Sequence, residues 1–390
     1  MKKIDYSSLI VAILILYFTL SNFSRLIPAI GFYYQLLIII LVVIQFKIMN
    51  DWVDRKIIIF VLGIFSFQLL FILYGTIINN GDIIVALYNS KYLLIFILMP
   101  IFLYIIKEKK LKLFLKYLSL SMLFKICIIV MISMDLSFGK HISENYMINN
   151  SHLLVHPYMG VYRVFDSYLV LFPLAFYAIL KLKMYYQILF QIIILLYIIF
   201  SFAVGMYFIY IFIGLFFISR KYFYLIFFIL LIYFFYDYTF ISEFIYKLYE
   251  SKLTNSIGVK SNQIFWIKDN ISLFGQGLGY SFNINGRIDT MLENLHIYWI
   301  ATYGIVGVSI LYFFILVMPI YIYIKFKNIF EIKIIFMSFL SALLASIVNP
   351  YALSGVIFMF LALLISCLFN DMNFYKKSMV STQGIVNLKI

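Results

Sequence analysis

His296 opens an apolar segment directly after a polar stretch of about 60 residues, Asp237 to Leu295. Arg287 precedes it, and Gly304 and Gly307 follow it. A histidine that is neutral near pH 7 can take a proton from a hydroxyl or orient one. Upstream, the run Leu273-Phe274-Gly275-Gln276-Gly277-Leu278-Gly279 packs three glycines into five residues. Glycines at that density let backbone N–H groups approach an anion or a sugar closely. The run is not a dinucleotide fingerprint, because the third glycine spacing, a preceding strand and a parallel sheet are all missing. Each feature alone has a plainer reading: a structural histidine, a flexible turn. Their meeting in one loop, with Arg287 between them, points to a site.

A second polar stretch ends Gly160-Val161-Tyr162-Arg163-Val164-Phe165-Asp166-Ser167, directly before an apolar segment. Arg163 either snorkels to the membrane surface or grips a phosphate with two hydrogen bonds. Lys125 lies near the middle of an apolar run, where a charge is costly and faces a cavity or a partner. His152 and His156 have i, i+4 spacing, but neither the HExxH glutamate nor a third ligand accompanies them, so no metal is expected. Cys127 and Cys367 both fall in apolar segments and form no CxxC, which gives no reason for a disulfide. Phe265-Trp266-Ile267 reads as an interfacial aromatic cluster, and 241–260 as an amphipathic helix on a membrane surface.

The elements that position these residues follow from composition. The chain has 390 residues, 65% of them hydrophobic and only 12% charged, with a mean hydropathy of +1.05. Lipid must be the solvent for most of that surface. The expected fold class is an all-α polytopic membrane protein, a single integral membrane domain over 1–390. Apolar runs fall at 7–21, 29–46, 57–78, 92–106, 117–134, 167–180, 185–200, 204–218, 222–236, 296–324, 331–348 and 351–369, which predicts about twelve spans. With the N-terminus in the cytoplasm, the whole net charge of +14 falls on the segments predicted to face that side, and everything else sums to zero. That is the positive-inside pattern, so the basic charge reports topology and does not indicate nucleic-acid binding. Both termini are then cytoplasmic. The loops 135–166 and 237–295 face outward, and all four histidines lie in them or at their edge.

Taken together, these residues resemble the O-antigen and capsular polysaccharide polymerase (Wzy-type) family, related to the O-antigen ligases. The resemblance rests on His296 opening a late span, then Tyr303, Gly304 and Gly307; on Lys260, Trp266 and Leu273 through Gly279 upstream; and on Arg163, Ser167 and Pro173 earlier. Here Ile297 stands where the family often has asparagine, Tyr303 where an acid is common, and Lys260 where arginine is usual. The Ser-Arg pair of many members, near 201–206, is missing.

The resemblance implies a type C glycosyltransferase fold in a bacterial plasma membrane, with the site in the outer loop 237–295. It implies metal-independent chemistry, without a cofactor, on undecaprenyl-diphosphate-linked glycans. A sugar hydroxyl on one repeat unit attacks the anomeric carbon of the growing chain, and undecaprenyl diphosphate leaves. His296 would orient or deprotonate the hydroxyl. Arg163 and Arg287, with Lys260, would stabilise the leaving diphosphate. Trp266, Gly275, Gly277, Gly279, Gly304, Gly307 and Lys125 would line the substrate. Membrane lipids, a chain-length regulator and a flippase of the same pathway are the implied partners. Two other readings stay open: a ligase that moves finished polymer to an acceptor such as lipid A core, and a flippase or transporter. Transporters often show internal repeats and midplane polar residues, which this chain lacks apart from Lys125.

Overall fold

Runs of isoleucine, leucine and phenylalanine in lipid have one economical solution, the helix, because it satisfies every backbone group within the segment. The computed structural model describes residues 6–24, 31–52, 55–138, 154–158, 161–165, 167–201, 210, 258–292, 294–347 and 355–370. It is mostly helical. The helices are α1 (Tyr6–Phe23), α2 (Gly31–Trp52), α3 (Arg55–Leu73), α4 (Ile83–Ser90), α5 (Met99–Lys107) and α6 (Leu111–Phe138). They continue with α7 (Ala175–Ile179), α8 (Met184–Ser201), α9 (Gly258–Asn270), α10 (Leu295–Tyr312), α11 (Met318–Lys325), α12 (Phe330–Ala345) and α13 (Gly355–Ser366). A π-helical turn, Tyr74–Ile78, prolongs α3, and a 3-10 stretch, Lys91–Leu98, joins α4 to α5. A second 3-10 stretch, Ser167–Leu174, leads into α7.

Among the described residues, four helical stretches are long and apolar enough, by length and composition, to cross a membrane: Arg55–Ile78, Ile83–Lys107, Leu111–Met134 and Leu295–Lys325. α13 is the innermost element, with every residue from Ile357 to Ile365 at most 4% exposed. It packs against the Lys91–Leu98 stretch, α5, α11 and α12. Phe18 of α1 touches both Phe114 of α6 and Phe360 of α13, tying the outer layer to that centre. α3 sits at the rim, where Ile59, Leu62, Leu69 and Leu70 are all more than half exposed. A continuous apolar face of that kind needs lipid or another apolar surface to cover it.

The mostly helical structure is compatible with the expected all-α class, and two short antiparallel hairpins stand in the stretches read as outer loops. β1 (Leu154–Tyr158) pairs with β2 (Val161–Phe165), and β3 (Phe282–Ile284) pairs with β4 (Arg287–Asp289). The second turn is Asn285-Gly286, with φ of 51° and 83°. Two consecutive positive φ values make the tight turn that matches strand twist, and Asn-Gly is its preferred sequence. His156 lies in β1, and His152 lies outside the described residues.

α10 departs from expectation. The sequence reads 296–324 as one span, but the helix breaks at Gly304, whose φ is 64° and ψ is −172°. In a straight helix His296 and Tyr312 would lie about 24 Å apart along the axis. Their side chains are in fact hydrogen-bonded, so the chain doubles back at Gly304. The first leg, 295–303, is about 13 Å long and too short to cross a bilayer. The second leg continues through the π-helical turn Phe313–Val317 into α11, giving a run to Lys325 of about 31 Å. Sequence hydropathy cannot see this reversal, because both legs are equally apolar.

The junction between the predicted spans 185–200 and 204–218 and the amphipathic helix read over 241–260 lie largely outside the described residues. Gly258 to Lys260 open α9.

Candidate functional site

A helix broken in two leaves carbonyls bare at one new end and amides bare at the other. The glycine-rich segment fills that gap. The amides of Gln276 and Gly277 donate to the carbonyls of Ala301 and Thr302, each at 2.8 Å. On the far side of the break, the amides of Ile305 and Val306 donate to the carbonyls of Ser272 and Leu273, at 3.1 and 3.0 Å. The same segment reaches the end of α3 and the start of α4. Leu278 N donates to Phe71 O at 2.9 Å, Asn79 Nδ2 to Gln276 O at 2.8 Å, and Asp82 N to Gly279 O at 2.9 Å.

This clasp explains the glycines. Gly275, Gly277, Gly279 and Gly304 all have positive φ. A Cβ on Gly304 would run into Gly275 N, one on Gly277 into the backbone of Gly75, and one on Gly279 into Asp82 O. Gly307 lies against the Phe71 ring, where a Cβ would come within 2.5 Å of it. The expectation that this segment offers its amides to a glycan is therefore revised. The amides of Gln276, Gly277 and Leu278 are already engaged by protein carbonyls, and the glycines permit backbone-to-backbone approach. Beneath the clasp, Tyr303 is buried between Phe67 and Phe71, and Gln68 Nε2 donates to its hydroxyl at 3.2 Å.

His296 is held by three further features. Asn294 caps the first leg, its side chain accepting from His296 N at 2.9 Å and Ile297 N at 3.2 Å. Asn294 Nδ2 also donates to Ile347 O at 2.9 Å, which ties the cap to the end of α12. The imidazole stacks on Tyr312 (centroids 5.8 Å apart, planes at 13°) and meets Trp299 edge-on at 5.4 Å. His296 Nδ1 lies 2.6 Å from Tyr312 Oη, and Nε2 lies 3.1 Å from Ser346 Oγ.

The Ser346–Leu343 bond favours one tautomer of His296. Ser346 has one hydroxyl proton and donates it to Leu343 O at 2.6 Å. Its oxygen can then only accept from His296, so Nε2 carries the proton. Nδ1 is left as an acceptor, and Tyr312 donates its O–H to it. Ser346 is fully buried, whereas His296 and Tyr312 are each half-buried. The open end of the relay is therefore Tyr312.

The other candidate residues are placed as follows. Arg287 begins β4, immediately after the Asn285-Gly286 turn, as the Cα partner of Ile284. Arg163 lies in β2 as the Cα partner of His156. β2 packs against α6, which holds the fully buried Lys125, and against α8. The stretch Ser167–Leu174 runs beside α12, and Tyr177 just after it stacks on Phe330 at the start of α12. Trp266 packs edge-on against the buried Phe282, with centroids 5.3 Å apart, and so anchors the β3–β4 hairpin under α9. Lys260 is half-buried in the first turn of α9.

Tyr312, Ser346 and Asn294 were not singled out by sequence. Asn294 had a readable signal, a capping residue just ahead of an apolar helix. Asn285-Gly286 was likewise a readable hairpin signal. Nothing in the chain announces that residues 296, 312 and 346 meet.

Fold and site together define a mostly helical protein with helices long and apolar enough to cross a membrane and a hydrogen-bonded histidine at the base of a doubled-back helix. Comparison with protein-family models, with curated proteins and with solved structures finds no match to this chain.

Proposed function

We propose that the chain is a polysaccharide polymerase of the outer face of a bacterial plasma membrane, joining undecaprenyl-diphosphate-linked oligosaccharide repeat units. In this reading it has about twelve spans, a type C glycosyltransferase-like fold, cytoplasmic termini and its chemistry in the outer loops. The observation that supports it best is His296. The ring is half-buried and engaged through both nitrogens, Nδ1 with Tyr312 Oη and Nε2 with Ser346 Oγ.

The physical demands of the reaction match these parts. A polyprenyl tail needs apolar grooves between helices, and the exposed face of α3 is of that character. The attacking hydroxyl needs an acceptor for its proton, and the His296 pair offers one. The departing diphosphate needs fixed positive charge, for which Arg163, Arg287 and Lys260 are the candidates. The test is direct. Purified protein in vesicles receives a polyprenyl-diphosphate-linked repeat unit, and the products are sized. A ladder of products differing by one repeat supports polymerisation. Single repeats left unchanged contradict it.

A further inference from the structure

Resting on that reading, we propose that Tyr312 is the residue that touches the acceptor sugar hydroxyl and that His296 acts through it. Both ring nitrogens of His296 are already occupied by protein groups. Nε2 lies 3.1 Å from Ser346 Oγ, and with Ser346 donating to Leu343 O at 2.6 Å that oxygen accepts from Nε2–H. Nδ1, the only basic position left, is covered by Tyr312 Oη at 2.6 Å. The two rings are stacked, with planes at 13°, and Trp299 closes on both edge-on, at 5.4 Å from His296 and 6.1 Å from Tyr312. For a substrate hydroxyl to reach Nδ1, Tyr312 would have to leave this packing. Reaching Tyr312 Oη requires no such movement. Donating its proton to Nδ1 leaves the phenol oxygen with lone pairs that accept another hydrogen bond.

The step balances without an outside reagent. The sugar O–H breaks and its proton goes to Tyr312 Oη, while the phenol proton moves to His296 Nδ1. The sugar oxygen bonds to the anomeric carbon of the donor. The bond from that carbon to the diphosphate oxygen breaks, and its electron pair leaves with the diphosphate. In sum His296 gains one proton, at Nδ1, and its Nε2–H stays hydrogen-bonded to Ser346. Tyr312 is unchanged at the end. Ser346 is a positioning residue, because it selects the tautomer that leaves Nδ1 basic.

Two measurements test this. In the vesicle assay, Tyr312→Phe keeps the stacked ring and removes only the oxygen. Its turnover should fall about 100-fold or more, with KM for the lipid-linked donor unchanged. Ser346→Ala should lose less rate and shift the pH profile, since both tautomers become available. Independently of activity, 15N spectra of histidine-labelled protein, with His296 assigned by its loss in His296→Gln, should show Nε2 protonated and Nδ1 bare. The Nδ1 resonance should move in Tyr312→Phe. A Tyr312→Phe protein that polymerises at the wild-type rate overturns the relay and leaves the polymerase reading standing. So does a wild-type spectrum with the proton on Nδ1. A wild-type protein that makes no polymer overturns the polymerase reading, and the relay with it.

Discussion

His296 and Tyr312 are 16 residues apart in the chain, yet their hydrogen-bonding atoms are 2.6 Å apart. Only a reversal between them allows this, and the reversal falls at Gly304. A short leg that enters and returns is permitted at membrane depth only when its broken backbone is satisfied by protein. The segment Ser272 to Leu278 supplies those partners. Sequence, clasp and histidine are thus links in one chain of cause: the glycines allow the clasp, the clasp allows the break, and the break brings the two rings together.

The clasp should be intolerant of a single methyl group. Gly304→Ala must hold φ near 64° with a side chain, and its Cβ would meet Gly275 N. With ψ at −172° that backbone is essentially confined to glycine and costs another residue about 1–3 kcal/mol, and the contact adds to it. Thermal unfolding in detergent should therefore shift down by several degrees. Gly63→Ala, in α3 with nothing within 4 Å of the new atom, should match or slightly exceed wild type. Equal melting of the two variants would refute the clasp.

Reversal of α10 is itself measurable. In a protein with Cys127 and Cys367 replaced by alanine, His296→Cys and Tyr312→Cys can be introduced together. Across a doubled-back helix a short bifunctional thiol reagent should link the pair within one chain. Across a straight helix the sites stand about 24 Å apart, beyond its reach. Absence of the link, with both thiols shown to be reactive, argues for the straight form.

Asn294 carries both the cap of the first leg and the tie to α12. Asn294→Ala should cost about 0.5–2 kcal/mol from the lost cap, with a further loss from the bare Ile347 carbonyl. Asn294→Asp keeps the cap and loses only the tie. The melting order wild type, Asp, Ala follows. An Ala variant as stable as wild type contradicts the capping role.

Gln68 and Tyr303 form a buried polar pair between α3 and the first leg. Tyr303→Phe leaves Gln68 short of a partner and should cost about 1–3 kcal/mol. Adding Gln68→Leu removes the orphan and should recover much of that loss. Two costs that simply add would show that the pair is not coupled in this way.

How much was legible in advance depends on the range of the interaction. Apolar runs and charge asymmetry are properties of contiguous segments, so the membrane character could be read from them, and Arg55–Ile78 and Leu111–Met134 agree with predicted spans. The three glycines between 275 and 279 stood out, but their purpose did not, because the groups they admit belong to residues 75, 82 and 302 to 304. His296 stood out by type and position. Tyr312 and Ser346 did not, since a tyrosine and a serine in apolar helices are common and only the reversal at Gly304 gives them a role. Asn285-Gly286 and Asn294 carried local signals that suffice to place a turn and a cap.

The most direct test of the central claim uses the cell surface. A deletion strain carrying wild-type, His296→Ala or Arg163→Ala protein is compared by gel for surface polysaccharide, with membrane insertion checked in parallel. The account predicts that deletion leaves single repeat units on the normal carrier or core, that wild type restores the ladder, and that both variants insert without restoring it. Full-length polymer in the two variants would contradict the assignment of His296 and Arg163. Unchanged polysaccharide in the deletion strain would contradict the polymerase reading as a whole.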